Sequence, residues 1–232
     1  MSTTTDILTE VKLILSKTWA REAGRQVPDI EAVALGANHG KDIEAAVLYA
    51  DMADSTKLVD SYKEEFAAEM YKVFLVGACR VIRYHDGEIT AFDGDRVMAV
   101  FFGNLKNTNA AKAALHLHYV VIEINKAIKA QYASTAFSLA YCVGIDTSKL
   151  LVTKTGIRQY NDLVWVGPAA NHAAKLSALN EPGFPTLITE RVYNKLNDSA
   201  KLGGTPKQNM WEKRTWTQTG QTIYRSSFWW DQ

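Results

Sequence analysis

Three groups of residues in this 232-residue chain carry chemistry beyond packing. Asp51 closes the apolar run AAVLYAD, and Asp95 sits beside the Asp-Gly pair of GEITAFDGDRVMAVFFG. Strand ends and turns are where a fold brings distant carboxylates together. Two carboxylates sharing one site repel each other unless a cation lies between them. A pair of Mn²⁺ or Mg²⁺ ions held by carboxylates relieves that repulsion. It also polarises the attacking and leaving oxygens of a phosphoryl group. Taken singly, each aspartate is equally an ordinary strand-end residue.

The residues after Asp51, MADST, open a helix. The hydroxyls of Ser55 and Thr56, with the free N–H groups of a helix N-terminus, favour an anion such as phosphate. Asp54 or Ser55 is also an ordinary N-cap, and the two roles are compatible. In VGPAANHAAKLSAL, Asn171 and Lys175 stand at i and i+4 on one helix face. An amide and a cation so placed orient a ribose and stabilise charge on a pentavalent phosphorus. Without further context, an exposed polar stripe is the simpler explanation.

These groups need a frame. Ile7, Val11, Ile14, Leu15 and Thr18 follow helical spacing, which predicts a helix from Asp6 to about Arg21, capped by Asp6 and stopped at Gly24. Pro28, Gly36 and Gly40 break the next stretch into an ordered connector. The run ending at Asp51 predicts a buried strand. Val59, Tyr62, Phe66, Met70, Val73 and Gly77 predict one helical stripe facing the core. Asp93-Gly94 predicts a hairpin turn. Residues 107–130 predict a helix with Ala110, Ala113, Leu117, Val121, Ile124 and Ile128 on one side. FSLAYCVGID, KLLVTKTG and DLVWVG predict separate strands. The helix of Asn171 follows, then the strand TLIT, a short helix ERVYNKL and a final strand in TIYRSSFWW. The order predicts an α+β fold with a ferredoxin-like βαββαβ core and an N-terminal helix. Residues 1–40 read as that helix and its connector, and residues 41–232 as one catalytic domain.

Composition narrows the function classes. Lys and Arg number 26 against 25 Asp and Glu, so no bulk charge points to nucleic acid or to an acidic membrane. The longest apolar runs, such as VMAVFF, are too short to span a bilayer, and the N-terminus lacks a signal-peptide core. A cytoplasmic location is expected. Cys79 and Cys142 lie in apolar stretches as buried free thiols. His116 and His118 are two apart on a helix and make a poor metal pair.

Three segments, LYADMADST, TAFDGDRVMAVF and NDLVWVGPAANHAAKLSAL, resemble in order and spacing the class III nucleotidyl cyclase domain. The resemblance covers residues 45–196. It implies that Asp51 and Asp95 bind two divalent ions, with help from the backbone carbonyl of Met52. It implies a homodimer whose composite sites take Asn171 and Lys175 from the second subunit. The reaction implied is in-line attack of a nucleoside triphosphate's own 3′-OH on its α-phosphorus, releasing pyrophosphate. The family's triphosphate-binding lysine has no clear counterpart; Lys207, Lys213 and Arg214 are candidates.

The departures from the family carry information. Ala91 stands where adenylate cyclases place a base-reading lysine, and Val164 where they place its aspartate partner. Lys175 replaces the usual arginine, keeping the charge and losing the bidentate fork. These departures, with PKQNMWEKRTW, resemble the pyrimidine cyclases of bacterial Pycsar anti-phage systems. That branch makes cyclic UMP or cyclic CMP, which acts on a separate effector. UTP is favoured narrowly over CTP as substrate. Tyr49 and Arg96 flank the metal aspartates and suit a smaller, pyrimidine-sized pocket. Arg96 either donates to a pyrimidine carbonyl or simply pairs with Asp93. The alternatives are a conventional adenylate or guanylate cyclase, and an inactive nucleotide-binding module.

Overall fold

The computed structural model describes residues 3–36 and 38–231. In chain order the elements are α1 (Thr3–Ser16), β1 (Ala20–Ala23), β2 (His39–Met52), α2 (Ser55–Ser61), α3 (Glu64–Tyr84), β3 (Glu88–Asp93) and β4 (Arg96–Phe101). There follow α4 (Lys106–Gln131), β5 (Tyr141–Ile157), β6 (Tyr160–Val166), α5 (Pro168–Ser177), β7 (Thr186–Thr189), α6 (Glu190–Tyr193) and α7 (Asp198–Lys201). Short strands β8 (Leu202–Gly203), β9 (Gln208–Asn209), β10 (Glu212–Thr215) and β11 (Thr222–Ser226) complete the chain. They fall into two compact units. One holds the residues up to Glu44 together with Lys149–Gly167, and the other holds Ala45–Ser148 and the residues from Pro168 onward.

In the larger unit the strands run β10-β11-β7-β5-β2-β4-β3. The segment β5-β2-β4-β3, connected through α3 and α4, has the βαββαβ arrangement that the order of elements predicts. Alternation along the strands separates the two faces of the sheet. Leu48 and Ala50 of β2, Val97, Ala99 and Phe101 of β4, and Val143 and Ile145 of β5 pack into one core with Met70, Phe74 and Ala78 of α3 and Leu115 and Leu117 of α4. Tyr49 and Asp51 alternate with Leu48 and Ala50, so they project from the opposite face.

Of the expected stripe from Val59 to Gly77, Met70 is buried in this core and Tyr62 and Phe66 pack against it, but Val59 and Val73 turn outward. Val59 is 52% exposed and Val73 36%, whereas Ala67, Met70, Phe74, Ala78, Val81 and Ile82 are buried. Tyr62 adopts an extended conformation (φ −129°, ψ 165°), so the chain forms two helices rather than one. A single helical phase cannot pass through that break. Residues 141–157 likewise form one long strand where two were expected. Both cysteines are free. Cys142 is fully buried, which pushes its thiol up to about 12, while Cys79 is only half-buried.

In the smaller unit, α1 ends at Ser16 instead of reaching Arg21. The Asn38 amide donates to the carbonyls of Ile14 (2.8 Å) and Lys17 (2.6 Å) and takes up the open end of the helix. The next residues are claimed by sheet pairing: β1 runs parallel to the start of β2, from Ala20 opposite His39 to Ala23 opposite Asp42, and Arg21 pairs with Asp42. Gly24 donates its N–H to the Asp42 carbonyl (2.8 Å) rather than ending a helix. The apolar stripe of α1 buries no residue. No helix among the described residues is long and apolar enough to cross a membrane.

Candidate active site

The separation between Asp51 and Asp95 in sequence is closed by strand register. Antiparallel pairing sets Asp51 of β2 opposite Arg96 of β4, and Arg96 opposite Asp93 of β3. The hairpin turn is therefore Gly94-Asp95, one residue later than the Asp-Gly pair suggests. Gly94 alone of the two has positive φ (61°), the pattern of a II′ turn. Asp95 is thereby held beside the last residues of β2.

The structure gathers Asp51, Met52, Ser55, Thr56, Asp95 and Arg96 around one open cleft of about 850 Å³. The Met52 side chain packs into the core, which leaves its backbone to line the cleft. Asp54 precedes α2 in the left-handed conformation (φ 58°), and its side chain makes no cap hydrogen bond. The expectation of an ordinary side-chain N-cap at Asp54 therefore fails; backbone geometry makes the turn.

Electrostatics mark the aspartates. Burial pushes the Asp51 carboxyl up to about 6; the neighbouring Asp95 charge adds to the rise, Arg96 opposes it, and Asp93 adds a little more. Asp95 Oδ2 is buried with no hydrogen-bond partner, and so is Arg96 Nε. A buried carboxylate oxygen without a donor is costly, and a cation is one of the few groups that satisfies it. Among the described residues no group of three or more His, Cys, Asp or Glu side chains forms a complete metal cage. That suits a hard ion bound by one or two carboxylates and completed by substrate phosphates and water.

Arg96 donates to Asp93 Oδ2 at 2.6 Å, and its guanidinium lies 5.4 Å from the centre of the Tyr49 ring. The pairing with Asp93 is thus present. It engages Nη2 and leaves Nη1 for a second partner, so the two roles considered for Arg96 are compatible. Tyr49 and Ala91 both face Met98 across the sheet, so the three form a row beside Asp51, Arg96 and Asp93. A bulge at Thr90 in β3 sets the register of Ala91.

Asn171 and Lys175 are not brought to this cleft. They lie exposed on α5, and the cleft's lining does not include them. Val164 lies on β6, in the smaller unit, and is 40% exposed. Lys213 and Arg214 lie on β10, at the other end of the strand order from β3, and Arg214 pairs with Glu212. Lys207 is exposed in the segment between β8 and β9. The cleft also contains four residues that the sequence did not single out, Lys57, Asp60, Ser61 and Asn180. Lys57 has a signal in retrospect, being one residue after Thr56 in the same first turn. Asn180 lies beyond α5 and has none.

No family model matches the chain. It is 48% identical over 219 residues to a uridylate cyclase of Xanthomonas perforans, covering 94% of this chain and 93% of that one. It is 47% identical over 213 residues to a uridylate cyclase of Burkholderia cepacia, covering 91% of each. Among solved structures it resembles the adenylyl cyclase CyaB from P. aeruginosa with a TM-score of 0.69 at 18% identity, over 81% of this chain and 95% of that one.

Proposed function

The chain belongs to the uridylate cyclase family and is a nucleotidyl cyclase; from that premise we propose that it converts UTP into 3′,5′-cyclic UMP and pyrophosphate. The observation that carries this reading is the likeness to uridylate cyclases over nearly the whole chain, on a face where Ala91 and Tyr49 flank the paired aspartates. Residues 41–232 form the catalytic domain, and the cyclic product serves a separate effector in anti-phage defence. CTP is the second substrate to test.

Asp51, Asp95 and the Met52 carbonyl would hold two divalent ions, Mn²⁺ or Mg²⁺, which would supply neutralisation of the phosphates and acidification of the 3′-OH. Ser55 and Thr56 donate to phosphate oxygens at the mouth of the cleft. The row of Tyr49, Met98 and Ala91 supplies a shallow base platform, and Arg96, oriented by Asp93 and Tyr49, donates to a pyrimidine carbonyl. Val164, which stands where purine cyclases place an aspartate, offers no carboxylate to read a purine. Asn171 and Lys175, exposed on α5, complete the cleft of a second copy in a homodimer, orienting the ribose and stabilising charge on the α-phosphorus.

The test is direct. Purified protein is incubated with Mn²⁺ and each nucleoside triphosphate separately, and products are identified by mass. Cyclic UMP is expected as the main product. Cyclic AMP as the main product overturns the pyrimidine assignment, and no cyclic product from any substrate favours the binding module.

The cleft also sets a pH dependence. The Asp51 carboxyl is raised to about 6 in the folded protein, above the range of an unfolded aspartate. The metal-free fold therefore keeps a proton there that the unfolded chain has lost. Its contribution to stability is present at low pH and fades as pH rises through about 6. A bound cation needs the ionised form. Mn²⁺ is thus expected to raise the melting temperature at pH 8 and to lose that effect as pH falls below about 6. Melting curves with Mn²⁺ and with EDTA from pH 5 to 8 check this; equal Mn²⁺ stabilisation at pH 5 and pH 8 contradicts it.

A further inference from the structure

Helix α5 is docked on β5 through every second residue of the strand. Cys142 Sγ donates to the Leu176 carbonyl (3.5 Å). Gly144 lies so close that a Cβ there would sit 2.1 Å from the Ala173 carbonyl oxygen. Asp146 faces the His172 ring, 3.0 Å from Oδ2 to Nδ1, and Ser148 Oγ accepts the Ala169 N–H at 3.1 Å. Three of these contacts are small or apolar. The fourth is a carboxylate with 0% exposure.

Asp146 is surrounded by donors. The Thr147 N–H reaches Oδ1 at 2.7 Å, and the Thr189 hydroxyl donates to the same oxygen. Arg191 grips both oxygens, through Nε to Oδ1 at 3.2 Å and through Nη2 to Oδ2. His172 also stacks edge-on against Trp216, with ring centres 5.6 Å apart. A buried carboxylate held by a bidentate arginine has a narrow angular tolerance, unlike an apolar contact that slides. His172 directly follows Asn171 on α5, so the rotation that satisfies Asp146 also sets the direction of Asn171 and of Lys175 one turn later.

We infer that Asp146, Arg191 and His172 form a positioning cluster that fixes the rotation of α5 and so aims Asn171 and Lys175 into the second subunit's cleft. This rests on the composite-site reading proposed above. A side chain reaching about 6 Å from the helix axis moves about 1 Å for a rotation of about 10°. A displacement of about 1 Å in a reacting geometry costs on the order of 10²-fold in rate. None of the three residues touches substrate; they act through Asn171 and Lys175.

The experiment uses the full chain with His172→Ala and, separately, Arg191→Lys, which keeps the charge and loses the fork. Each is expected to lower kcat about 30-fold or more while KM for UTP stays within about 3-fold, because the metal and base half of each cleft is intact. Each variant is then mixed with Asp51→Ala protein. A mixed dimer has one cleft that combines intact metal ligands with an intact α5, so activity is expected to return. The control mixes Asn171→Ala with Asp51→Ala. A silent control overturns the composite-site reading, and the inference falls with it. A working control with no rescue of both positioning variants overturns the inference alone. So does a kcat within 3-fold of the parent for both. If one variant loses its cooperative melting transition, the other decides the outcome.

Discussion

Asp95→Asn is expected to reduce cyclase turnover by about 10³-fold or more while leaving the metal-free protein folded and more heat-stable than the parent. The first effect follows from the cleft's donor set. In the proposed site Asp95 supplies one of the two metal-binding carboxylates, its Oδ2 is buried without a hydrogen-bond partner, and an amide cannot replace a negative charge beside a divalent ion. A loss of about 10³ in rate corresponds to about 4 kcal/mol of transition-state stabilisation, a reasonable share for one ligand of a two-ion site. The second effect has the opposite sign because Asp95 is a strained neighbour in the absence of metal. Its charge contributes to the rise of the Asp51 carboxyl to about 6. The amide has the same shape without the repulsion. Steady-state turnover and melting curves in EDTA at pH 8 test both halves. Turnover above a tenth of the parent removes Asp95 from the metal site. A lower melting temperature in EDTA contradicts the like-charge account.

Gly144→Ala is expected to cost on the order of 3 kcal/mol of stability, lowering the melting temperature by about 10 °C at the sensitivity of a chain this size. The added methyl would stand 2.1 Å from the Ala173 carbonyl oxygen, 2.5 Å from the Ser177 nitrogen and 2.7 Å from the Leu176 Cβ. Two of those are backbone atoms, which cannot turn aside as the tip of a long side chain can. Helix α5 must lift from β5, and activity is expected to fall with it. Gly94→Ala makes a useful comparison. There a Cβ meets nothing within 4 Å, and the cost comes only from the positive φ of 61°. That cost is about 1 kcal/mol. Urea unfolding of the two variants separates them; equal destabilisation refutes the close-packing argument for Gly144.

Much of this protein was legible before folding. The order of strands and helices contains the βαββαβ core, because a period of two and a period of 3.6 leave different marks on a sequence. Asp51 and Asp95 were legible as chemical candidates because each sits where an element ends. The Asp-Gly pair located the β3–β4 hairpin to within one residue. Where a pattern was interrupted, its phase was lost. Tyr62 turns extended, so no single stripe runs from Val59 through Gly77, although Phe66 and Met70 do meet the core. The end of α1 at Ser16 depends on Asn38, a residue far along the chain whose amide takes the open carbonyls.

The sequence by itself determined most of the elements and marked Asp51 and Asp95 as chemical candidates, since those are matters of local pattern and residue type. Only the tertiary structure decided that Asp51 stands opposite Arg96, that Asp95 rather than Gly94 closes the turn, and that Asp146 is a buried carboxylate shared by His172 and Arg191. It alone left Asn171 and Lys175 outside their own chain's cleft. Such facts depend on strand register and helix docking. Both are set by many weak contacts between residues far apart in sequence, and no local pattern records them.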